Sequence, residues 1–234
     1  MCGRYTQTTN LRLIQEKFDL ANEEMKELIE NFRPNYNVAP THMVQVIVQE
    51  NDKLKMKLMK WGLVPSWAPD PKKFGFSTIN ARSEEIHTKA SYKNLIPKRR
   101  CLIVADSFYE FEKVGKEKRP VRFMMKDKSV FSFAGLYDVW KKEGQNPIVS
   151  CTILTTQPNK TVAKYHNRMP VMLEAVNERP WLDPERKTYE DITPFLNPIS
   201  EEQIIHYYAN PAVNNVRNNA EHLIEEFDYS ELGL

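Results

Sequence analysis

The chain has 234 residues, 41% hydrophobic and 11% aromatic, which supplies the core of one large domain or two small ones. Its 33 basic and 31 acidic side chains leave a net charge of +2, which excludes a histone-like coat held on nucleic acid by bulk charge. No apolar run approaches the length that spans a bilayer and none follows the initiator methionine, so the expectation is a soluble, cytoplasmic protein with no membrane partner.

In chain order, "TNLRLIQEKFDL" (9–20) predicts a short helix capped by Thr9 or Asn10. "NEEMKELIENF" (22–32) predicts a second helix, with acidic residues in its first turn. The period then changes. "MVQVIVQ" (43–49) and "KLKMKLMKWG" (53–62) alternate in twos and predict strands around the turn "ENDK". Further strands are expected over 101–111, 120–126, 129–140 and 147–156. "NKTVAKYHNR" (159–168) predicts a helix stopped by Pro170. "ERPWLD", "YEDITPFL" and "SEEQIIHYY" predict short helices and a late strand. The acidic tail, about 221–234, is expected to be a solvated terminus. No composition break, repeat or low-complexity linker interrupts the chain. The expectation is a single α+β domain over 1–234, mostly antiparallel β in the middle, with short peripheral helices.

Three cysteines, Cys2, Cys101 and Cys151, form no CxxC pair. Cys101 and Cys151 sit in apolar, β-branched runs and read as small buried hydrophobes. The five histidines, His42, His87, His166, His206 and His222, make no i,i+4 pair, so neither a metal nor a cofactor is expected.

Cys2, in "MCGRYT", is different. A small second residue favours trimming of Met1, which would leave Cys2 as a 1,2-aminothiol. A free α-amine has a pKa of ~7.7–8.0, so roughly a third is the neutral nucleophile near neutral pH. It forms a Schiff base with an aldehyde without special desolvation. The thiol on the same residue can then close on the imine carbon as a five-membered thiazolidine, helped by high effective molarity.

Seven segments sharpen this reading: "MCGRYT", "NYNVAP" (35–40), "WGLVPSW" (61–67), "INARSE" (79–84), "ADSFYEF" (105–111), "YHNRMPVML" (165–173) and "VNNVRN" (213–218). In this order, over nearly the whole chain, they resemble the SOS response-associated peptidase (SRAP) family. Its members are abasic-site processing proteins that crosslink to abasic sites in single-stranded DNA. The resemblance implies an α+β fold around a twisted, barrel-like β core. It implies that Cys2 is the crosslinking residue, and that Asn80, Glu110 and His166 complete the catalytic set. Asn80 would hold the sugar hydroxyls or the Cys2 backbone. Glu110 would stabilise an iminium and shuttle protons. His166, with an intrinsic pKa near ~6.5, would serve ring opening and reversal.

Alternation alone leaves these residues open. Glu110 and Glu112 share a face by spacing, and only the motif selects Glu110. Asn80 also reads as a strand-end residue, and His166 as a packed helix residue.

For DNA contact, the resemblance points to Arg4, Trp67, Arg82 and Thr155. Lys89 stands where some family members carry arginine, without the bidentate fork. Tyr92 offers a stacking surface and Pro40 a wedge. Lys93, Lys98, Arg99 and Arg100 add a basic bias, although "KNLIPKRR" also reads as an ordinary solvated loop and Trp61 as core.

The expected function is a covalent abasic-site sensor acting in the DNA damage response, nucleoid-associated when bound, with AP-lyase and reversal side activities. Two alternatives remain. One is a cysteine-type peptidase acting mainly in autocatalytic Met1 removal. The other is a non-covalent single-strand binding module.

Overall fold

The computed structural model describes residues 2–232, so the expected removable cap, Met1, lies outside them. The period-two runs fold as strands. In chain order the elements are β1 (Arg4–Gln7), α1 (Leu11–Phe18), α2 (Asn22–Asn31), β2 (Asn35–Val38), β3 (Met43–Glu50), β4 (Lys53–Trp61), β5 (Asn80–Arg82), β6 (Arg100–Ala105), β7 (Ser107–Val114), β8 (Glu117–Met125) and β9 (Phe131–Trp140). They continue with β10 (Ile148–Thr156), β11 (Met169–Pro170), β12 (Met172–Leu173), α3 (Ala175–Leu182), α4 (Tyr189–Ile192) and β13 (Ile204–Tyr208).

Five strands close a barrel in the order β10–β4–β3–β6–β9, because β9 pairs back onto β10. All of these pairings are antiparallel except β4–β10, which is parallel. Closure removes the free edges that an open sheet exposes. A second, antiparallel sheet runs β13–β8–β7–β1–β2. Its inner face and the barrel share a core that includes Cys2, Tyr5, Trp61, Cys101, Phe108, Phe123, Phe133 and Cys151. Tyr5 meets Trp61 and Phe133 edge-on, with centroids 5.1 and 5.6 Å away. Gly135 is needed inside the barrel: a Cβ there would lie 2.8 Å from Ile103 Cδ1 and 2.9 Å from Cys101 Sγ. On the outer side, α1 buries Leu11, Ile14 and Phe18. Its N-cap is Asn10, whose side chain accepts the Arg12 N–H at 2.9 Å.

The sheet-switching point corrects the expected strand over 101–111. Two strands, β6 and β7, meet at Asp106 and belong to different sheets. The Asp106 carboxylate accepts from the Thr6 hydroxyl and from the Thr8 and Thr9 backbone N–H groups, the last two at 2.6 and 3.0 Å. This ties the corner to the chain leaving β1.

Two further expectations are corrected. Residues 159–168 form only a 3₁₀ turn at Val162–Lys164, with i→i−4 bonds at Ala163 and His166. Asn159 Oδ1 accepts the Val162 N–H at 2.9 Å at the start of that turn, and the helix does not propagate to its end, where the Arg168 N–H faces His166 Nδ1 in place of a backbone carbonyl. The acidic tail is not simply solvated. Leu223 is fully buried, Tyr229 is buried, and Phe227 N–H donates to Tyr208 O at 2.8 Å. Among the described residues no helix is long and apolar enough to cross a membrane.

Candidate active site

The antiparallel register of β1 against β7 pairs Arg4 with Tyr109 and Tyr5 with Phe108, so the chain entering β1 runs alongside the stretch of β7 that carries Glu110. Cys2 therefore enters the core next to β7. It is fully buried, and burial, followed by the nearby Glu110 charge, pushes its thiol pKa far up. Its Sγ lies 3.8 Å from Arg4 O.

Asn80 reaches the same residue from the barrel. The short β5 runs parallel to β10, with Asn80 level with Ile153. Trp61 Nε1 fixes the preceding peptide by donating to Ile79 O at 2.9 Å. From there Asn80 Nδ2 donates to Cys2 O at 2.7 Å. Its Oδ1 is buried and accepts no hydrogen bond among the described residues. An unmet buried acceptor costs about 1–3 kcal/mol, which a ligand donor such as a sugar hydroxyl would relieve.

Glu110 is 3% exposed, and burial raises its carboxyl from an ordinary 4.5 to about 7. Glu112, on the same face, is half-buried and accepts the Tyr208 hydroxyl at 2.7 Å. The structure thus separates the two carboxylates that alternation could not. His166 is half-buried, and burial lowers its pKa. Its Nδ1 lies 3.0 Å from the Arg168 N–H and 3.1 Å from the Arg168 carbonyl. With its proton on Nδ1 the ring donates to that carbonyl whether neutral or cationic. That tautomer is held in both protonation states by one backbone carbonyl, so the second proton comes and goes at Nε2.

Arg168, 7% exposed, makes a two-pronged pair with Glu84 at 2.8 and 2.7 Å and donates to Thr155 O at 2.6 Å. β10 pairs with both β5 and β11, so it gathers the chain bearing Asn80 and the chain that follows His166.

The expected DNA-facing residues divide. Trp67 is 55% exposed, with its ring edge-on to Phe74. Pro40 is half-exposed. Arg82 and Lys89 are exposed and share Glu85 at 3.5 and 3.6 Å. Tyr92 is half-buried against the outer core, and burial pushes its hydroxyl up to about 12. Arg4 and Thr155 lie inside. Arg4 Nη1 donates to Asn37 Oδ1 at 2.6 Å and to Val213 O at 2.7 Å. Thr155 is fully buried, its hydroxyl 3.4 Å from Ala81 O. Arg100 is likewise buried, its guanidinium spent on the carbonyls of Trp181, Ile96, Arg186 and Asp183.

Sequence reasoning missed four residues that hold the site: Asn37, Glu84, Asp106 and Arg168. Arg168 sits in "YHNRMP", yet a buried arginine and an exposed one look alike in sequence. Asn37 donates to the carbonyls of Val213, Asn215 and Asn218 at 3.3, 3.1 and 2.9 Å, and so absorbs the "VNNVRN" segment.

A closed barrel joined to a sheet that buries a cysteine at the chain's start defines a fold found in solved structures. A crystallised protein from Bacteroides thetaiotaomicron superposes with a TM-score of 0.86 at 23% identity, covering 97% of this chain and all of that one. The chain belongs to the SOS response associated peptidase (SRAP) family, whose model it matches over residues 1–216. It is 37% identical to the abasic site processing protein YoqW of Bacillus subtilis, covering 96% of this chain and 99% of that one. It is 32% identical to the abasic site processing protein HMCES of Xenopus tropicalis, covering 81% of this chain and 65% of that one.

Proposed function

We propose that the chain, once Met1 is removed, traps ring-opened abasic sites in single-stranded DNA through the amine and thiol of Cys2. The observation that carries this reading is the meeting of Asn80, Glu110 and Cys2, with Glu110 raised to about 7. A carboxyl near 7 both donates and accepts protons at neutral pH.

The chemistry proceeds in two additions. The neutral amine attacks the C1 aldehyde, and water leaves with a proton from Glu110 or His166 Nε2, giving an iminium. A carboxylate about 4 Å from that cation contributes roughly 4 kcal/mol at an effective dielectric near 20. The thiol then gives up its proton to Glu110, and sulfur bonds to the iminium carbon to close the thiazolidine. Amine, thiol and aldehyde are consumed; one water is released. If an α-proton of the sugar is lost from the iminium instead, β-elimination cleaves the strand as a lyase would. His166 returns the proton to the sugar oxygen on reversal. Asn80 orients Cys2 through its carbonyl and offers Oδ1 to a sugar hydroxyl. Trp67, Pro40, Arg82 and Lys89 carry the strand.

The test is a denaturing gel of protein incubated with an oligonucleotide holding one abasic site. Wild type is expected to give a shifted band that Cys2→Ala lacks. Absence of that band from protein shown by mass spectrometry to lack Met1 would refute the proposal. A bare binding module would instead bind intact and abasic strands equally, and a peptidase would cleave a fluorogenic peptide panel.

A further inference from the structure

The sheet face that carries Glu110 does not end at Glu110. Directly paired residues of antiparallel strands share a face. Glu110 on β7 is level with Val121 on β8, and Val121 is level with Tyr208 on β13. One row down, Phe108, Phe123 and His206 are level in the same way. This second row is a stack: Phe108 on Phe123 at 5.0 Å and Phe123 on His206 at 5.5 Å, both tilted by 15°. The stack starts in the core and emerges at a half-exposed ring.

Tyr165, the neighbour of His166, closes over this row. Its ring lies edge-on to Phe123, His206 and Tyr208 at 5.6, 5.5 and 6.4 Å. Tyr208 is fixed further by its bond to Glu112 at 2.7 Å and by the Tyr229 ring at 5.5 Å. Tyr165, His206 and Tyr208 are all half-buried, so each keeps part of a rigid ring at the surface. Lys164, exposed, adds a positive charge felt at His206.

We propose that Tyr165, His206 and Tyr208 form a stacking platform for the nucleobase next to the abasic nucleotide. This rests on the function proposed above and adds a base-binding subsite to it. Strands lie about 4.8 Å apart, so Tyr208 is two strands, about 10 Å, from Glu110. That is at most about three stacked base steps of 3.4 Å. An abasic nucleotide has no base of its own to stack, and its neighbour loses a stacking partner. Pre-ordered rings replace that partner at little entropic cost and without regard to sequence. The exposed Lys164 lies where the flanking phosphate would pass.

The experiment separates stacking from crosslinking. Binding is measured by fluorescence anisotropy on oligonucleotides with a central tetrahydrofuran, which has no aldehyde and cannot crosslink. One oligonucleotide has normal bases on both sides of it; the other has tetrahydrofuran there too, with the same phosphates. Wild type is expected to bind the first about tenfold more tightly. The double variant His206→Ala/Tyr208→Leu is expected to lose most of that ratio. Tyr208→Phe, which keeps the ring and loses the hydroxyl, is expected to retain it. Urea midpoints verify that each variant is folded. An unchanged ratio in the folded double variant, or no ratio in wild type, overturns the platform. Crosslinking to a true abasic strand is scored in parallel: its failure alone sinks the covalent function, while a lost ratio with intact crosslinking is the result the platform requires.

Discussion

Replacing Glu110 by glutamine separates the thermodynamic cost of the site from its chemistry. Glu110 is 3% exposed, and burial raises its carboxyl from 4.5 to about 7. Between these values the folded chain holds a proton that the unfolded chain has released. Its contribution to stability is therefore complete below about pH 4.5 and lost as pH rises through about 7. A difference of about 2.5 units at 1.36 kcal/mol each makes the ionised carboxylate about 3 kcal/mol costly above pH 8. Glu110→Gln carries no such charge. Relative to its own offset at pH 4, it is expected to gain about 3 kcal/mol over wild type at pH 8. Urea titrations at the two pH values measure this, because titrating groups that do not interact with Glu110 cancel in the comparison. The same variant is expected to crosslink about a hundredfold more slowly at pH 7, having lost its proton shuttle. A stability difference that stays constant between pH 4 and pH 8 would refute the burial argument. Undiminished crosslinking would refute the catalytic one.

Cys2→Ser keeps the amine and loses the sulfur, so it is expected to give an adduct only when borohydride reduces the imine; a stable band without reductant would count against ring closure. Asn80→Ala removes the 2.7 Å bond to Cys2 O and is expected to slow crosslinking about tenfold with a stability change near 1 kcal/mol, read from gel time courses and thermal melts. Asn37→Ala takes the Oδ1 acceptor from Arg4 and the amide donor from the carbonyls of Asn215 and Asn218, while Arg4 and Val213 O keep their bond to each other, and is expected to destabilise by about 2 kcal/mol in urea. Arg168→Lys loses the fork onto Glu84 and is expected to lower the melting temperature while the Nδ1 contacts of His166, made by backbone, keep the pH profile in place.

β3 and β4, paired over eight residues, were legible by alternation, and β6, β9 and β10, buried along nearly their whole length, by their apolar, β-branched runs. β1 was not: all four of its residues are buried, and Arg4, Thr6 and Gln7 carry polar side chains that find partners inside. Without alternation there is no period to read. β5 is three residues long, too short for any pattern. Asp106 was invisible as a corner because strand-forming residues flank it directly on both sides, with no glycine or proline to mark a turn. At the site, residue type and motif named Cys2, Asn80, Glu110 and His166, and the structure joins Asn80 and Glu110 to Cys2. The environments of the arginines were not legible. Arg4 reaches the Val213 carbonyl and Arg100 the Trp181 carbonyl, each more than eighty residues away in sequence, and only the fold decides what a guanidinium meets.

The pairing of β10 with β4, β5, β9 and β11 carries a consequence for the order of synthesis. Cys2 leaves the ribosome first; the strand that closes the barrel and seats Asn80 comes some 150 residues later. Under the function proposed above, once Met1 is trimmed and until that strand arrives, the Cys2 amine and thiol would stand in open solvent, able to react with any small aldehyde. Closure would then turn a general aldehyde trap into a selective one, admitting only what the finished surface can hold. Overexpressed or slowly folding chains should accordingly accumulate small-aldehyde adducts at Cys2, and those chains would be spent before meeting DNA.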